Sequence, residues 1–286
     1  MEILAIALSG LLSVFSGSGL VLEWLASNNL RSQVVNVERQ QVRIDNVPSY
    51  QIVGGKIQKV RIATRGLELK QGLRIEALEL ETDAIALERS KLNFNDIEKF
   101  QEALQQPLQG AVRIVLTQDD LNRVWQSRAV RSQLQRSLNR LVASKAGSTN
   151  ITYNLNEPYL ELLSNNRLRI QFKLTRAGFS RYPSQELAIA LELGIRIVNG
   201  KTVEFIEPSG TVNQRPMSSR LLNGFAKGVS DRLNLAALEA NGILARLLQL
   251  EISKGKIELA GFARMETKEA EFSSIGSEFS TSTKIH

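Results

Sequence analysis

Residues 187–197 read LAIALELGIRI and alternate between large aliphatic side chains and other residues without a break. The large apolar positions are Leu187, Ile189, Leu191, Leu193, Ile195 and Ile197. The positions between them include the small residues Ala188, Ala190 and Gly194. Because successive side chains of a strand point to opposite faces, this period of two predicts a long β-strand. One face of the strand is strongly apolar, and the other is partly small.

The same period recurs on both sides of this strand. Apolar residues alternate in short runs over 42–92, and glycines separate the runs, which predicts an antiparallel meander. Alternation returns over 160–174, and Asn199-Gly200 is typical of a tight hairpin turn because both residues tolerate positive φ. A closing hairpin is predicted at 252–259.

Helical spacing interrupts the strands at three places. The pattern from Asp96 to Leu104 predicts a first helix. Thr117-Gln-Asp-Asp120 has the form of a capping box, so a second helix is expected to start there. A third is predicted after Pro216, with these residues on one face: Leu221, Phe225, Val229 and Leu233. This order of elements indicates an α+β fold with long antiparallel strands.

The chain divides into three parts. Residues 1–30 contain an uncharged run, 3–22, for which three interpretations stay open: a retained membrane-associating segment, a cleaved signal, or a buried helix. Residues 31–265 are expected to form a single α+β domain. Residues 266–286 are rich in Ser and Thr and have no hydrophobic period, which predicts a disordered tail.

The composition weakens most catalytic chemistries. The 286 residues include no Cys and a single His, the terminal His286. Thiol nucleophiles and thiolate metal sites are therefore excluded, and a Ser-His-Asp triad or a His-ligated zinc would depend on that one residue. Asp119 and Asp120 are adjacent carboxylates, but the helix cap accounts for them. We therefore expect a protein that is not an enzyme, with no catalytic residue, metal or cofactor.

A local basic patch accounts for most of the net charge of +7. Between residues 121 and 145 there are six cations and no acid: Arg123, Arg128, Arg131, Arg136, Arg140 and Lys145. Such a patch favours a specific anionic surface over a general polycation. Aromatic residues do not interleave it apart from Trp125, so no nucleic-acid partner is expected.

Four segments resemble the LmeA-like phospholipid-binding family: SYQIVGGKIQKVRIATRGLELK, LRIEALELETDAIAL and QPLQGAVRIVLTQDDLNRVW within 49–125, and LNLAALEANGILARLLQLEISKGKIELAGFARM at 233–265. The resemblance implies a fold like that of the tubular lipid-binding proteins. In that fold a long, curved antiparallel sheet wraps around amphipathic helices. It also implies a phospholipid ligand and a membrane-associated, extracytoplasmic location in the cell envelope, although the missing basic signal region leaves the cytoplasmic face open.

These observations lead to a non-enzymatic phospholipid-binding or lipid-transfer protein at a membrane surface. The candidates for an apolar groove that takes acyl chains are Ile170, Phe172, Ile189, Leu191 and Leu193. The candidates that meet anionic headgroups are Arg128, Arg131, Arg136 and Arg140. The alternative for the apolar residues is ordinary core, and for the arginines it is a solvated helix face. The alternative function is a membrane-anchored structural or assembly factor with no lipid ligand and an unknown protein partner.

Overall fold

The computed structural model of the chain describes residues 34–46, 55–69, 72–91, 97–128, 130–132, 135–136, 139, 153–176, 186–231 and 233–268. Antiparallel strands dominate these residues, as the alternation predicted. The segment 1–30 and all but the first three residues of the tail 266–286 lie outside the described residues. Among the helices described, none is long and apolar enough to cross a bilayer.

Six antiparallel strands form the first sheet. Their order across the sheet is β1 (Val34–Asp45), β3 (Lys59–Leu69), β4 (Arg74–Thr82), β6 (Leu108–Thr117), β13 (Lys256–Met265) and β12 (Ile243–Ser253). A two-stranded ribbon pairs β2 (Lys56–Ile57) with β5 (Ile85–Ala86). The predicted meander therefore supplies one half of this sheet, and the predicted closing hairpin, β12–β13, supplies its other edge.

Five antiparallel strands form the second sheet. Their order is β11 (Arg215–Pro216), β10 (Thr202–Val212), β9 (Glu186–Val198), β8 (Arg167–Arg176) and β7 (Tyr153–Leu162). The strand predicted at 187–197 is β9, at the centre of this sheet. Asn199 and Gly200 in the β9–β10 turn have φ values of 52° and 65°, which confirms the predicted turn.

The resemblance implied one long sheet, and here the strands divide between two. Strand β12 meets the second sheet at its turns and not along a continuous ladder. The Asn166 side-chain oxygen accepts a hydrogen bond from the Ile252 amide at 2.7 Å, and the Gly200 carbonyl accepts one from the Leu247 amide at 2.7 Å. The turns β7–β8 and β9–β10 thus attach the second sheet to the edge of the first.

Three α-helices and two 3-10 helices have described bounds, and the described residues among 128–139 form a further helical segment. The five with described bounds are α1 (Ile97–Ala103), α2 (Gln118–Gln126), α3 (Ser219–Ser230) and the 3-10 segments Arg89–Lys91 and Leu235–Asn241. The predicted cap of α2 is confirmed, because the Thr117 hydroxyl accepts a hydrogen bond from the Asp120 amide. The buried Asp120 carboxylate also lies 3.1 Å from Arg74, so the cap fixes α2 to the first sheet.

Three hydrophobic clusters organise the interior. Helix α1 closes the first, in which Phe100 packs with residues of the first sheet that include Val60, Ile62 and Leu80. The second lies on the first sheet, where it includes Ile75 and Ile114, and Leu121 of α2 packs against it. The third joins the two sheets, since it contains Leu193 of β9 and Ile252 of β12. Helix α1 therefore covers one part of the first sheet and α2 packs against another part, whereas the second sheet is covered partly by the first.

Candidate functional site

The apolar face of the second sheet is divided into two halves. The inner half is buried and comprises Leu160, Leu162, Leu168, Leu191, Leu193 and Ile195. The outer half is half-buried apart from the buried Leu174, and its other members are Leu155, Phe172, Leu187, Ile189 and Val212. Ile170 is half-buried but pairs with Leu160 and Leu191, so it lies with the inner half. The outer half is thus an apolar surface that the described core does not fully cover.

The inner half is buried because several elements converge on it. Ile252 from β12 and Ala226 from α3 belong to its cluster, and Leu121 from α2 packs against it. Gly210 of β10 allows α3 to come close, since a Cβ there would lie 2.7 Å from the Leu191 side chain and 3.1 Å from that of Leu222. A larger residue at position 210 would therefore push α3 off the sheet.

A cavity of about 950 Å³ lies at the outer end of the same sheet. Four of its lining residues are direct cross-strand neighbours on the polar face: Tyr159, Gln171, Ala190 and Thr211. Ala188 and Ala190 also line it, and their small side chains leave room above the strand. Phe172 and Ile189 contact the cavity as well, although strand alternation directs their side chains to the apolar face. The cavity therefore touches the outer half from the polar side.

The structure brings together some of the predicted site residues and separates others. Phe172, Ile189 and Arg131 line the cavity together. Leu191 and Leu193, at 8% and 2% exposure, belong to the inner half, and Ile170 packs against the inter-sheet cluster. Two of the other arginines, Arg128 and Arg136, are exposed and do not line the cavity; the fourth, Arg140, lies outside the described residues.

Polar side chains of the helical segment hold it against the free edge of β7. The Asn122 amide group donates to the Leu160 carbonyl and accepts from the Leu160 amide, each at 2.7 Å. Gln118 accepts from the Leu162 amide, and Gln135 accepts from the Leu155 amide and donates to the Tyr153 carbonyl. These side chains replace a neighbouring strand and position Arg131, which lies between Asn122 and Gln135, beside the cavity.

The cavity wall carries charges of both signs. Lys173 Nζ lies 3.0 Å from a Glu157 carboxylate oxygen and 3.2 Å from one of Glu186. Hydrogen bonding to Glu157, and then to Glu186, raises the pKa of Lys173. Arg131, by contrast, has no carboxylate partner among the described residues. It is therefore the cavity cation that is available to an anionic group.

Sequence reasoning did not identify Glu157, Lys173 or Glu186. Glu157 has a φ of 50° and lies where the β7–β8 register shifts between Asn156 and Tyr159. This bulge directs the Glu157 carboxylate to the cavity. The signal available in the sequence was the Glu157-Pro158 pair, because proline interrupts a strand and favours an edge or a bulge.

A model of the LmeA-like phospholipid-binding family matches residues 16–262 of the chain. The chain belongs to this family. No curated protein is similar enough in sequence to count as a relative.

One similar solved structure is that of extended synaptotagmin 2, which contains an SMP domain followed by two C2 domains. The sequence identity is 8% and the TM-score is 0.17. The match covers 92% of this chain and 65% of that one, so this chain spans slightly less than two thirds of its length. A score this low carries no argument about the fold or the function.

Proposed function

We propose that this member of the family is a non-enzymatic phospholipid-binding or lipid-transfer protein at a membrane surface. The acyl chains would lie against the outer half of the second sheet, and the headgroup would face Arg131 at the cavity. The observation that carries the proposal is that the half-buried apolar side chains of Phe172 and Ile189 and the cavity that Arg131 lines lie at the same end of the second sheet. Family membership supports the lipid as the ligand class.

The burial pattern of the second sheet supports an acyl site at its outer end. Side chains of Phe172, Ile189 and Val212 form a cross-strand row that the core leaves half-buried. Covering such a row with an acyl chain would remove apolar surface from water on both partners. Each methylene buried contributes about 0.8 kcal/mol, so about ten buried methylenes supply the roughly 8 kcal/mol of a micromolar complex.

The basic segment supports a headgroup site at the cavity. Arg128 and Arg136 are exposed on the same helical stretch as Arg131. A cation close to an anionic lipid surface contributes about 1 kcal/mol. These arginines would thus strengthen the contact with anionic lipid, while the carboxylates of Glu157 and Glu186 would repel a headgroup with excess negative charge.

Binding without catalysis and an extracytoplasmic location are parts of the same proposal. The absence of Cys and the single terminal His support a binding role. Within the described residues, no group of three or more His, Cys, Asp or Glu residues could hold a metal ion. The envelope location rests on the family resemblance.

Ile189→Arg tests the lipid site in the full-length chain. We expect native mass spectrometry with lipid extraction to find phospholipid on the wild-type chain and at least about tenfold less on the variant, because the new charge lies where acyl chains would pack. Ile197→Arg is the matched control, since Ile197 is on the same face of β9, is also half-buried and does not line the cavity.

Circular dichroism verifies that both variants fold. A folded Ile189→Arg variant that keeps its lipid would refute the site. A wild-type chain that carries no lipid and takes none up from anionic vesicles would refute the lipid-binding function and favour the anchored assembly factor.

A further inference from the structure

Helix α3 exposes an apolar side that no other described element covers. Its sheet-facing side chains Leu222, Ala226 and Ser230 are buried, and the Ser230 hydroxyl accepts a hydrogen bond from the Phe205 amide at 2.9 Å. On the outward side, Leu221 is 56% exposed and Phe225 is 40% exposed, one helical turn apart. The apolar face that the sequence predicted for this helix is therefore directed away from the sheet.

Two glycines lie between these apolar residues and the cations of α3. A Cβ at Gly224 or Gly228 would have no atom within 4 Å, so no packing inside the molecule requires glycine there. A glycine inside a helix is destabilising by roughly 0.5–1 kcal/mol relative to alanine. A flat external partner that approaches the helix closely would account for both.

The charge around α3 is mainly positive, and the one acid next to the helix is the exposed Asp231 at its C-terminal cap. Residues 208–230 contain no Asp or Glu and three cations, Arg215, Arg220 and Lys227. All three are exposed, and none has a carboxylate partner among the described residues. On the helical projection, Arg220 and Lys227 lie on one side of the two glycines, and Leu221 and Phe225 lie on the other.

We infer that this surface, which we call the α3 surface, docks on an anionic lipid bilayer. It comprises Arg220, Leu221, Gly224, Phe225, Lys227 and Gly228. Leu221 and Phe225 insert at the boundary between headgroups and acyl chains, while the two cations contact anionic headgroups. The inference goes beyond the proposed lipid site, because docking requires only a membrane surface. It does not depend on whether a lipid is bound in the cavity.

The absence of cysteine from the chain allows a local test in the full-length protein. Gly228→Cys introduces a labelling site that keeps Leu221 and Phe225, and Lys254→Cys places the same label on the exposed β12–β13 turn. An environment-sensitive fluorophore at position 228 should shift to the blue with vesicles of phosphatidylcholine and phosphatidylglycerol. The label at position 254 should not shift, even if residues 1–30 bring both proteins to the vesicles.

Two changes should remove the shift at position 228. Adding Leu221→Ser and Phe225→Ser should weaken the vesicle response by about tenfold or more, because the inserted apolar area is lost. Vesicles of phosphatidylcholine alone, or high salt, should also reduce it, because the two cations then contribute less. The same serine changes should leave lipid loading in the cavity unaltered, which separates this inference from the proposed lipid site.

Three results would overturn the inference. One is an unshifted label at position 228 on chains that sediment with anionic vesicles. Another is an equal shift at position 254, or one that survives the serine changes. The third is a shift that rises with protein concentration without vesicles, which would assign the α3 surface to a second copy of the chain.

Discussion

Phe100 and Phe172 occupy comparable apolar positions against the two sheets but differ in burial. Phe100 on α1 is fully buried, and its helix covers the first sheet. Phe172 on β8 is half-buried at the outer end of the second sheet and contacts the cavity. The proposed lipid site depends on this difference in burial, because the described core leaves apolar side chains half-buried at the outer end of the second sheet.

The polar faces of the two sheets differ in the same way. Ion pairs cross the first sheet, where Arg113 lies 3.3 Å from Glu79 and 2.7 Å from Glu258. On the second sheet, Glu192 pairs with Arg167 and Arg169 at the inner end, and the cavity occupies the outer end. Both faces of the second sheet are therefore most open at the same end.

Truncating the two phenylalanines should give the largest difference in stability between a change in the first sheet and a change in the second. Phe100→Ala should lower the free energy of unfolding by about 3–5 kcal/mol, because it leaves a cavity in a closed cluster. Phe172→Ala should lower it by roughly 1–2 kcal/mol, since that side chain is only partly buried and truncating it leaves no closed cavity. Chemical denaturation of both variants measures the difference. Equal losses would show that the outer half is closed core and would remove the distinction between the sheets.

Removing the Asn122 side-chain amide that pairs with the free edge of β7 should cause the next largest loss of stability. Asn122→Leu keeps the side-chain size but leaves the buried Leu160 amide and carbonyl without partners, which should cost roughly 1–3 kcal/mol. Asn223→Leu on exposed α3 is the control and should change stability by less than about 0.5 kcal/mol. Hydrogen exchange at Leu160 should accelerate only in the first variant. Unchanged protection there would mean that the edge of the second sheet does not depend on this side-chain amide.

Elements with a local cause could be predicted from the sequence. The alternation in β9, the Asn199-Gly200 turn and the Thr117 cap each depend on residues within one strand or one turn. The family resemblance likewise rests on contiguous segments. The three predicted helices begin within a few residues of their observed starts, whereas β1 and β7 begin at Val34 and Tyr153, seven to eight residues before the predicted alternation at 42 and 160.

The division of the apolar face could not be predicted in this way. Leu193 and Ile189 occupy equivalent positions in one alternating pattern, and only the first meets Ile252, which is 59 residues further along the chain. The burial of Leu193 depends on where β12 packs against β9. The alternation of side chains within β9 gives no information about that contact. The side-chain amide groups of Gln118, Asn122 and Gln135 bind the edge of β7. A search for apolar stripes does not consider these polar residues, so it does not predict that contact.

Acid titration should give the smallest contrast, and it compares Glu192 on the second sheet with Glu81 on the first. Hydrogen bonding from Arg167 is the largest cause that lowers the pKa of Glu192, and hydrogen bonding from Lys59 is the largest for Glu81. A lowered pKa in the folded state contributes stability above the unfolded value of about 4.3, and this stability is lost as the pH falls through the lowered pKa. Glu192→Gln should therefore be less stable than wild type at neutral pH, by about 1 kcal/mol at most, with the gap closing in acid.

Glu81→Gln should show the smaller gap, because the Glu81 side chain is 48% exposed and that of Glu192 is 27% exposed. Urea denaturation of the three proteins from neutral to acid pH measures both gaps. A gap for Glu192→Gln that stays constant with pH would mean that packing of the side chain, and not its charge, stabilises the inner end of the second sheet. A gap that closes would show that the charge of Glu192, paired with Arg167 and Arg169, stabilises the strands at the inner end of that sheet.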